Sequence, residues 1–230
     1  MPVLYVIATP IGNLEDISLR ALRLLREVKL IAAEDTRTTR RLLNAYNIKT
    51  PLTSYHEHSK RAKLDYLLNY LDKEDMALVS EAGMPGLSDP GYELIVAAIE
   101  RGISVVPIPG ASAVITALVV SGLPTDQFLY VGFLPRRKGQ RQRLLSSIID
   151  EPRTIVAFET PHRLREALSD IEEILGDRRI SVCRELTKIH EEIFRGRVSQ
   201  AKEHCVEPRG EFSLVIEGKT RAWLKFQERS

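Results

Sequence analysis

The sequence predicts an α/β protein built of two α/β domains, and three observations carry that prediction. Short apolar runs alternate with helical patterns through the first half, which argues for a mostly parallel sheet covered by helices. The second half has strand patterns separated by little helix, which argues for a mixed sheet with some antiparallel pairing. A polar, turn-rich segment, GLPTDQ at residues 122–127, separates the two patterns, so the expected domains are 1–121 and 122–230.

The elements follow in order. In the first half, strand patterns fall at residues 3–8, 30–33, 52–55, 76–80 and 104–108, and helical patterns at 17–27, 38–45, 60–71, 92–101 and 112–120. In the first helix, Ile17, Ala21, Leu22, Leu24, Leu25 and Val28 recur with the 3.6-residue period of one buried face. In the second half, residues 128–132, 154–158, 180–183, 192–196 and 212–216 read as strands, and 140–149 and 163–175 as helices. The tail from 219 to 230 is polar apart from Ala222, Trp223, Leu224 and Phe226, and Trp223 and Phe226 are expected to pack on the body or on a partner chain.

Composition narrows the function classes. A chain of 230 residues with 43% hydrophobic and 28% charged residues is ordinary for a globular protein. No apolar run approaches the ~20 residues of a membrane span. The opening MPVLYVIATP lacks a basic segment and enters a strand at once, so no signal peptide and a cytoplasmic location are expected. Cys183 and Cys205 form no metal spacing and read as packing residues. His56 and His58 form an HxH pair without further ligands nearby, so no metal is expected.

A net charge of +2 does not identify a nucleic-acid partner, but its distribution does more. RRKGQRQR at 136–143 places five cations, Arg136, Arg137, Lys138, Arg141 and Arg143, in eight residues without an acid. Arg37, Arg40 and Arg41 form a second cluster, and Lys60, Arg61 and Lys63 a third. Such patches neutralise phosphates, or they are solvated helix faces.

Three strand–loop–helix junctions stand out. SEAGMPGLSDPG at 80–91 holds three Gly and two Pro, TPIGNLED spans 9–16, and PGAS spans 109–112. Loops of this composition bring bare backbone close to a ligand, and in open α/β sheets ligands bind outside the carboxyl ends of the strands. Asp89 stands where a helix begins, as an N-cap or a ligand contact. The GxGxxG spacing of dinucleotide sites is absent around Gly12 and Asn13.

These loops resemble those of the tetrapyrrole-methylase-like, class III S-adenosylmethionine-dependent methyltransferases. Within them, the branch acting on small-subunit ribosomal RNA is similar in LYVIATPIGNLEDIS (4–18), AAEDTR (32–37), SEAGMPGLSDPG, PGAS, GFLP (132–135), ETPHR (159–163), RELTK (184–188) and GEFSLVIEG (210–218). The order is kept from residue 4 to 218. Glu81 and Ala111 stand where many members carry Asp and Pro, and many members continue with a further helical segment.

The resemblance implies a methyl-donor cleft between the two domains, S-adenosylmethionine as donor, and contacts from Ile11, Asp89, Tyr92, Ser112 and Ala113, joined by Phe158, Leu186 and Phe212 of the second domain. It implies 2′-O-ribose methylation of cytidine 1402 of 16S rRNA within the 30S subunit, by a homodimer. Phe158 and Phe212 also fit as core strand residues. A ribose hydroxyl is a poor nucleophile at neutral pH, so a positioned base is expected. Lys188 oriented by Glu185 is the first choice, on the condition that the lysine pKa is lowered. Glu34, Asp35 and the Glu159–His162 combination are the other candidates, and RELTK fits equally well as an ion-pair network. Arg37 and Arg163 read as phosphate or carboxylate clamps, with Thr36 as a helix cap. Two other readings stay open: a small-molecule methyltransferase acting on a corrinoid or porphyrin precursor, and a catalytically weak donor- or RNA-binding module.

Overall fold

The structure is a computed structural model that describes residues 2–56 and 61–219. His58, Lys60, Trp223 and Phe226 lie outside the described residues. The chain divides into two compact units, Met1–Ser112 and Ala113–Ser230.

The first unit is built on five parallel strands: β1 (Val3–Ile7), β2 (Leu30–Ala33), β3 (Leu52–Ser54), β4 (Met76–Val79) and β5 (Ser104–Ile108). They lie in the order β3-β2-β4-β1-β5. The helices are α1 (Leu19–Glu27), α2 (Thr36–Ala45), α3 (Arg61–Leu71) and α4 (Tyr92–Glu100). Every residue of β2 and β4 is buried, so these strands read as unbroken apolar runs. The period of two then divides their side chains. Leu4, Val6, Leu30, Ala32, Met76 and Leu78 face α3 and α4. Ile7, Ile31, Ala33, Ala77, Val79 and Ile108 face α1 and α2. Because all five strands are parallel, their carboxyl ends share one edge, where the three Gly/Pro loops emerge.

The second unit contains α5 (Ala113–Val120), β6 (Phe128–Phe133), α6 (Lys138–Ser147), β7 (Thr154–Glu159), α7 (Pro161–Leu175), β8 (Arg179–Arg184), β9 (Glu192–Arg197), α8 (Val198–His204) and β10 (Phe212–Ile216). The sheet order is β6-β7-β10-β8-β9. β6 and β7 are parallel and the other pairings antiparallel, so the sheet is mixed. Ile155, Ala157, Ile180, Val182, Phe212, Leu214 and Ile216 form one core with Leu145 of α6, Leu164 and Leu168 of α7, and Val198 and Ala201 of α8.

Some details depart from the sequence reading. The division falls before α5, because α5 packs on β7 and β10 of the second sheet. α7 starts at Pro161, which sits in its first turn, where a missing N–H costs nothing. α8 had no sequence counterpart; only Val198 and Ala201 of it are buried. Cys183 and Cys205 are free and buried. Among the described residues, no helix is long and apolar enough to cross a membrane.

Candidate functional site

The three loops after β1, β4 and β5 meet. Thr9 and Gly83 exchange two backbone hydrogen bonds, Thr9 N to Gly83 O at 2.9 Å and Gly83 N to Thr9 O at 3.0 Å. Thr9 Oγ1 donates to Ser80 O at 3.3 Å, and Ala8 N donates to Ile108 O at 3.1 Å. A Cβ on Gly110 would lie 2.9 Å from that of Ala8, so the third loop passes against the first as only glycine allows. Gly83 has φ +76°, and a Cβ there would lie 3.6 Å from Ile11 Cγ2 and 3.7 Å from the Ala111 carbonyl oxygen. Ile11 is thus buried inside this junction. Ser112 follows it and Ala113 opens α5, both partly buried.

At the same edge an open groove of about 580 Å3 is lined by Glu34, Tyr55, His56, Asp89, Tyr92 and Glu93, among others. Glu34 is held there by Glu81 N, which donates to its Oε2 at 3.2 Å. Asp35, not Thr36, caps α2, accepting from Arg37 N at 2.6 Å and Thr38 N at 3.4 Å. Hydrogen bonds from the Arg37 side chain and backbone hold the Asp35 carboxyl below its usual range. The Arg37 side chain is otherwise open to solvent. Asp89 is not the cap of α4. That position is Gly91, at φ +138° without a side-chain bond, where a Cβ would press on Leu78 and Gly86 N. Asp89 is partly exposed, and Tyr92 is 70% exposed.

In the second unit, RELTK forms a tight turn after β8 in which Glu185 and Thr187 both have positive φ, +50° and +67°. Glu185 Oε1 accepts from Lys188 Nζ and from Glu211 N, each at 2.9 Å. Lys188 Nζ also donates to Glu211 Oε2 at 3.0 Å. Gly210 makes room for this: a Cβ there would lie 2.5 Å from Glu185 Cγ. Burial alone would lower the Lys188 pKa, but its bonds to Glu185 and Glu211 outweigh burial and leave it raised. Lys188 is therefore held in a charge-paired tie, and this turn does not supply the lowered pKa on which its expected general-base role, with Glu185 orienting, was conditional. Burial likewise opposes, without reversing, the lowering of Glu185 by Lys188 and Glu211 N. The two residues do share a side, through the turn rather than a helix.

Leu186 and Phe212 are buried, and Phe212 belongs to the core under α6, α7 and α8. Of the two readings of Phe212, donor contact or core strand residue, its side chain fits the second. Phe158 is on the other side of β7, edge-on to Tyr130 and Phe133 at 5.3 and 5.4 Å. Of the basic run, Arg136, Arg137, Lys138 and Arg143 are exposed. Arg141 is 0% exposed and is removed from the expected RNA surface. Its Nε donates to Asp170 Oδ2 at 2.7 Å, and Asp170 is itself buried. Glu159 is also buried, its Oε1 2.6 Å from Arg163 Nη2, so Arg163 clamps a carboxylate. Burial raises the Glu159 pKa, against the pull of Thr160 N, Arg163 and Arg141. His162 faces solvent instead. Gly210, Glu211 and Asp170 were not singled out in the sequence, although Gly210 opens the GEFSLVIEG block. Among the described residues no cluster of three or more His, Cys, Asp or Glu can hold a metal ion.

Comparison with known proteins bears on this geometry. Residues 3–202 match the Tetrapyrrole (Corrin/Porphyrin) Methylases. Ribosomal RNA small subunit methyltransferase I of Halalkalibacterium halodurans is 52% identical, covering 94% of this chain and 75% of that protein. The protein of the same name from Thermotoga maritima is 50% identical, covering 95% of this chain and 100% of its own length. A crystal structure of diphthine synthase superposes with a TM-score of 0.74 over 98% of this chain and 93% of that one, at 13% identity. Uroporphyrin-III-C-methyltransferase from Thermus thermophilus gives 0.64 at 19% identity, over 94% of each chain. These two show the fold. The chain belongs to the tetrapyrrole methylase family of methyltransferases, in its ribosomal RNA small subunit methyltransferase I branch.

Proposed function

We propose that this protein transfers a methyl group from S-adenosylmethionine to the ribose 2′-oxygen of a cytidine in 16S rRNA, acting on the small ribosomal subunit. The observation that carries the reading is the junction of three loops at the carboxyl edge of the parallel sheet. Gly83, Gly91 and Gly110 there let the loops pack closely against their neighbours, and a concave edge built of loop backbone suits a donor held largely by main-chain bonds. Ile11, Asp89, Tyr92, Ser112 and Ala113 are the residues assigned to hold it, with Leu186 and Phe158 as further contacts. The donor supplies an electrophilic sulfonium methyl, so the chain has to orient the hydroxyl and exclude water.

With Lys188 charge-paired and Asp35 capping α2, Glu34, which lines the groove together with Asp89 and Glu93, is the carboxylate we assign to take the ribose proton. Exposed Arg37, Arg136, Arg137, Lys138 and Arg143 supply cations for the RNA phosphates. The homodimer and the cytoplasmic setting belong to the same proposal. The test incubates the protein with methyl-labelled S-adenosylmethionine and either 30S subunits or corrinoid and porphyrin precursors. Label in 16S rRNA is expected. Label in a tetrapyrrole precursor, or in neither, overturns the reading.

A further inference from the structure

The cationic loop that leads from β6 into α6 is tied down at both ends by buried charge. At its start, Arg163 Nη1 donates to Leu134 O at 3.3 Å, while Arg163 Nε donates to Thr160 Oγ1 at 3.0 Å and Nη2 lies 2.6 Å from the buried Glu159. At its end, Arg141 of α6 is sealed against Asp170 of α7, its Nη2 2.6 Å from Oδ2, and Gln142 Nε2 adds a bond to Asp170 Oδ1 at 3.2 Å. The stretch so fixed, residues 135–138, carries exposed Arg136, Arg137 and Lys138.

This arrangement opposes what the loop would do by itself. Arg137 is the N-cap of α6 without a side-chain cap bond, Lys138 opens the helix, and its first turn has no acid. Cations at the positive end of a helix dipole are unfavourable, and three neighbouring cations repel. The buried groups are not arranged for stability either. Arg141 Nη1 and Glu159 Oε2 are buried with no hydrogen-bond partner, and apolar residues commonly serve as well as a buried ion pair. A costly pair at each end of a self-repelling cationic loop is explained by the position it imposes.

We infer that Arg141, Asp170, Glu159 and Arg163 are positioning residues that hold the 135–138 cations in register for the phosphates of the RNA substrate. The inference rests on the RNA-methylating reading above. One of the five cations in the basic run thus acts from inside the protein, through the three exposed ones at 136–138.

Two variants test it, with steady-state kinetics on 30S subunits and salt-dependent RNA binding as readouts. R141M/D170L replaces the pair by apolar side chains. R163K keeps a cation beside Glu159 but removes the fork that reaches Leu134 O and Thr160 Oγ1. Each should raise KM for 30S subunits roughly tenfold with kcat little changed, and lower the salt slope of RNA binding by about one per lost phosphate contact. Donor affinity should stay at the wild-type value. A role in stability alone moves the denaturation midpoint and leaves the slope untouched. Wild-type KM and slope in R141M/D170L overturn the inference; should that variant fail to fold, the same result in R163K does so. Loss of any salt-dependent RNA binding in the unaltered protein overturns the RNA-methylating reading as well.

Discussion

Asp170→Ala is the sharpest perturbation of the second unit. Asp170 is 3% exposed, and Arg141, its partner, is 0% exposed. The substitution removes the carboxylate 2.7 Å from Arg141 Nε and 2.6 Å from Nη2. The remaining carboxylate, Glu166, lies 3.5 Å away with a side chain 73% exposed, so water screens most of what it can offer. Breaking a buried pair by removing one member costs about 3–5 kcal/mol, because the other charge stays in the interior. Domains hold only ~5–15 kcal/mol in total, so the loss takes a large share. R141M/D170L removes both charges and should return to within ~1 kcal/mol of the wild type, or exceed it. Urea denaturation followed by far-ultraviolet circular dichroism reads both, as a shift in midpoint at unchanged slope. A cost below ~1 kcal/mol for Asp170→Ala, or a double variant less stable than the single one, refutes the reasoning.

The remaining predictions concern the turn and the basic surface. Gly210→Ala sets a Cβ 2.5 Å from Glu185 Cγ at φ +88°, and should cost ~1–3 kcal/mol by backbone strain and overpacking; wild-type stability in denaturation counts against the assigned geometry. The pKa of Lys188 is raised above 10.5, so its contribution to stability is fully present below that pH and is lost as pH rises through the folded-state value. Glu185 is lowered from 4.5, so its contribution is present above that pH and is lost as pH falls through its folded value. Lys188→Met should flatten both flanks of the stability–pH profile, and an unchanged profile contradicts the charge-paired tie. Changing Arg136, Arg137, Lys138 and Arg143 to Glu should weaken RNA binding and its salt dependence while sparing donor affinity. Normal 30S methylation by that variant makes the run a solvated face.

Much of the fold was legible because its signals are local. β2 and β4 are buried on both sides and appear as unbroken apolar runs, while Gly/Pro loops mark the edge where they end. The mixed second sheet was legible from strands following one another with little helix. α8 was missed because a seven-residue helix burying only Val198 and Ala201 leaves a weak periodic pattern. The fate of Arg141 was invisible for a different reason: its partner is 29 residues away, and a charge run shows no sign of which member turns inward. Lys188 is a similar case. Neighbouring Glu185 hinted at opposition to a lowered pKa, but the second carboxylate, Glu211, is 23 residues distant and the fold alone brings it near. The position of Asp89 before a helix left it as a cap or a ligand contact, and the cap falls to Gly91, at φ +138°, which leaves the ligand reading. The loop convergence required the Thr9–Gly83 pairing across strands far apart in sequence.

The most direct test of the central claim is the chemical position of the methyl group. 30S subunits treated with the protein and labelled S-adenosylmethionine are digested to nucleosides, and the labelled product is identified by mass spectrometry. The account predicts one labelled species, 2′-O-methylcytidine, released from 16S rRNA and strongly reduced for Glu34→Gln. A label on a nucleobase, or no label in RNA at all, contradicts it.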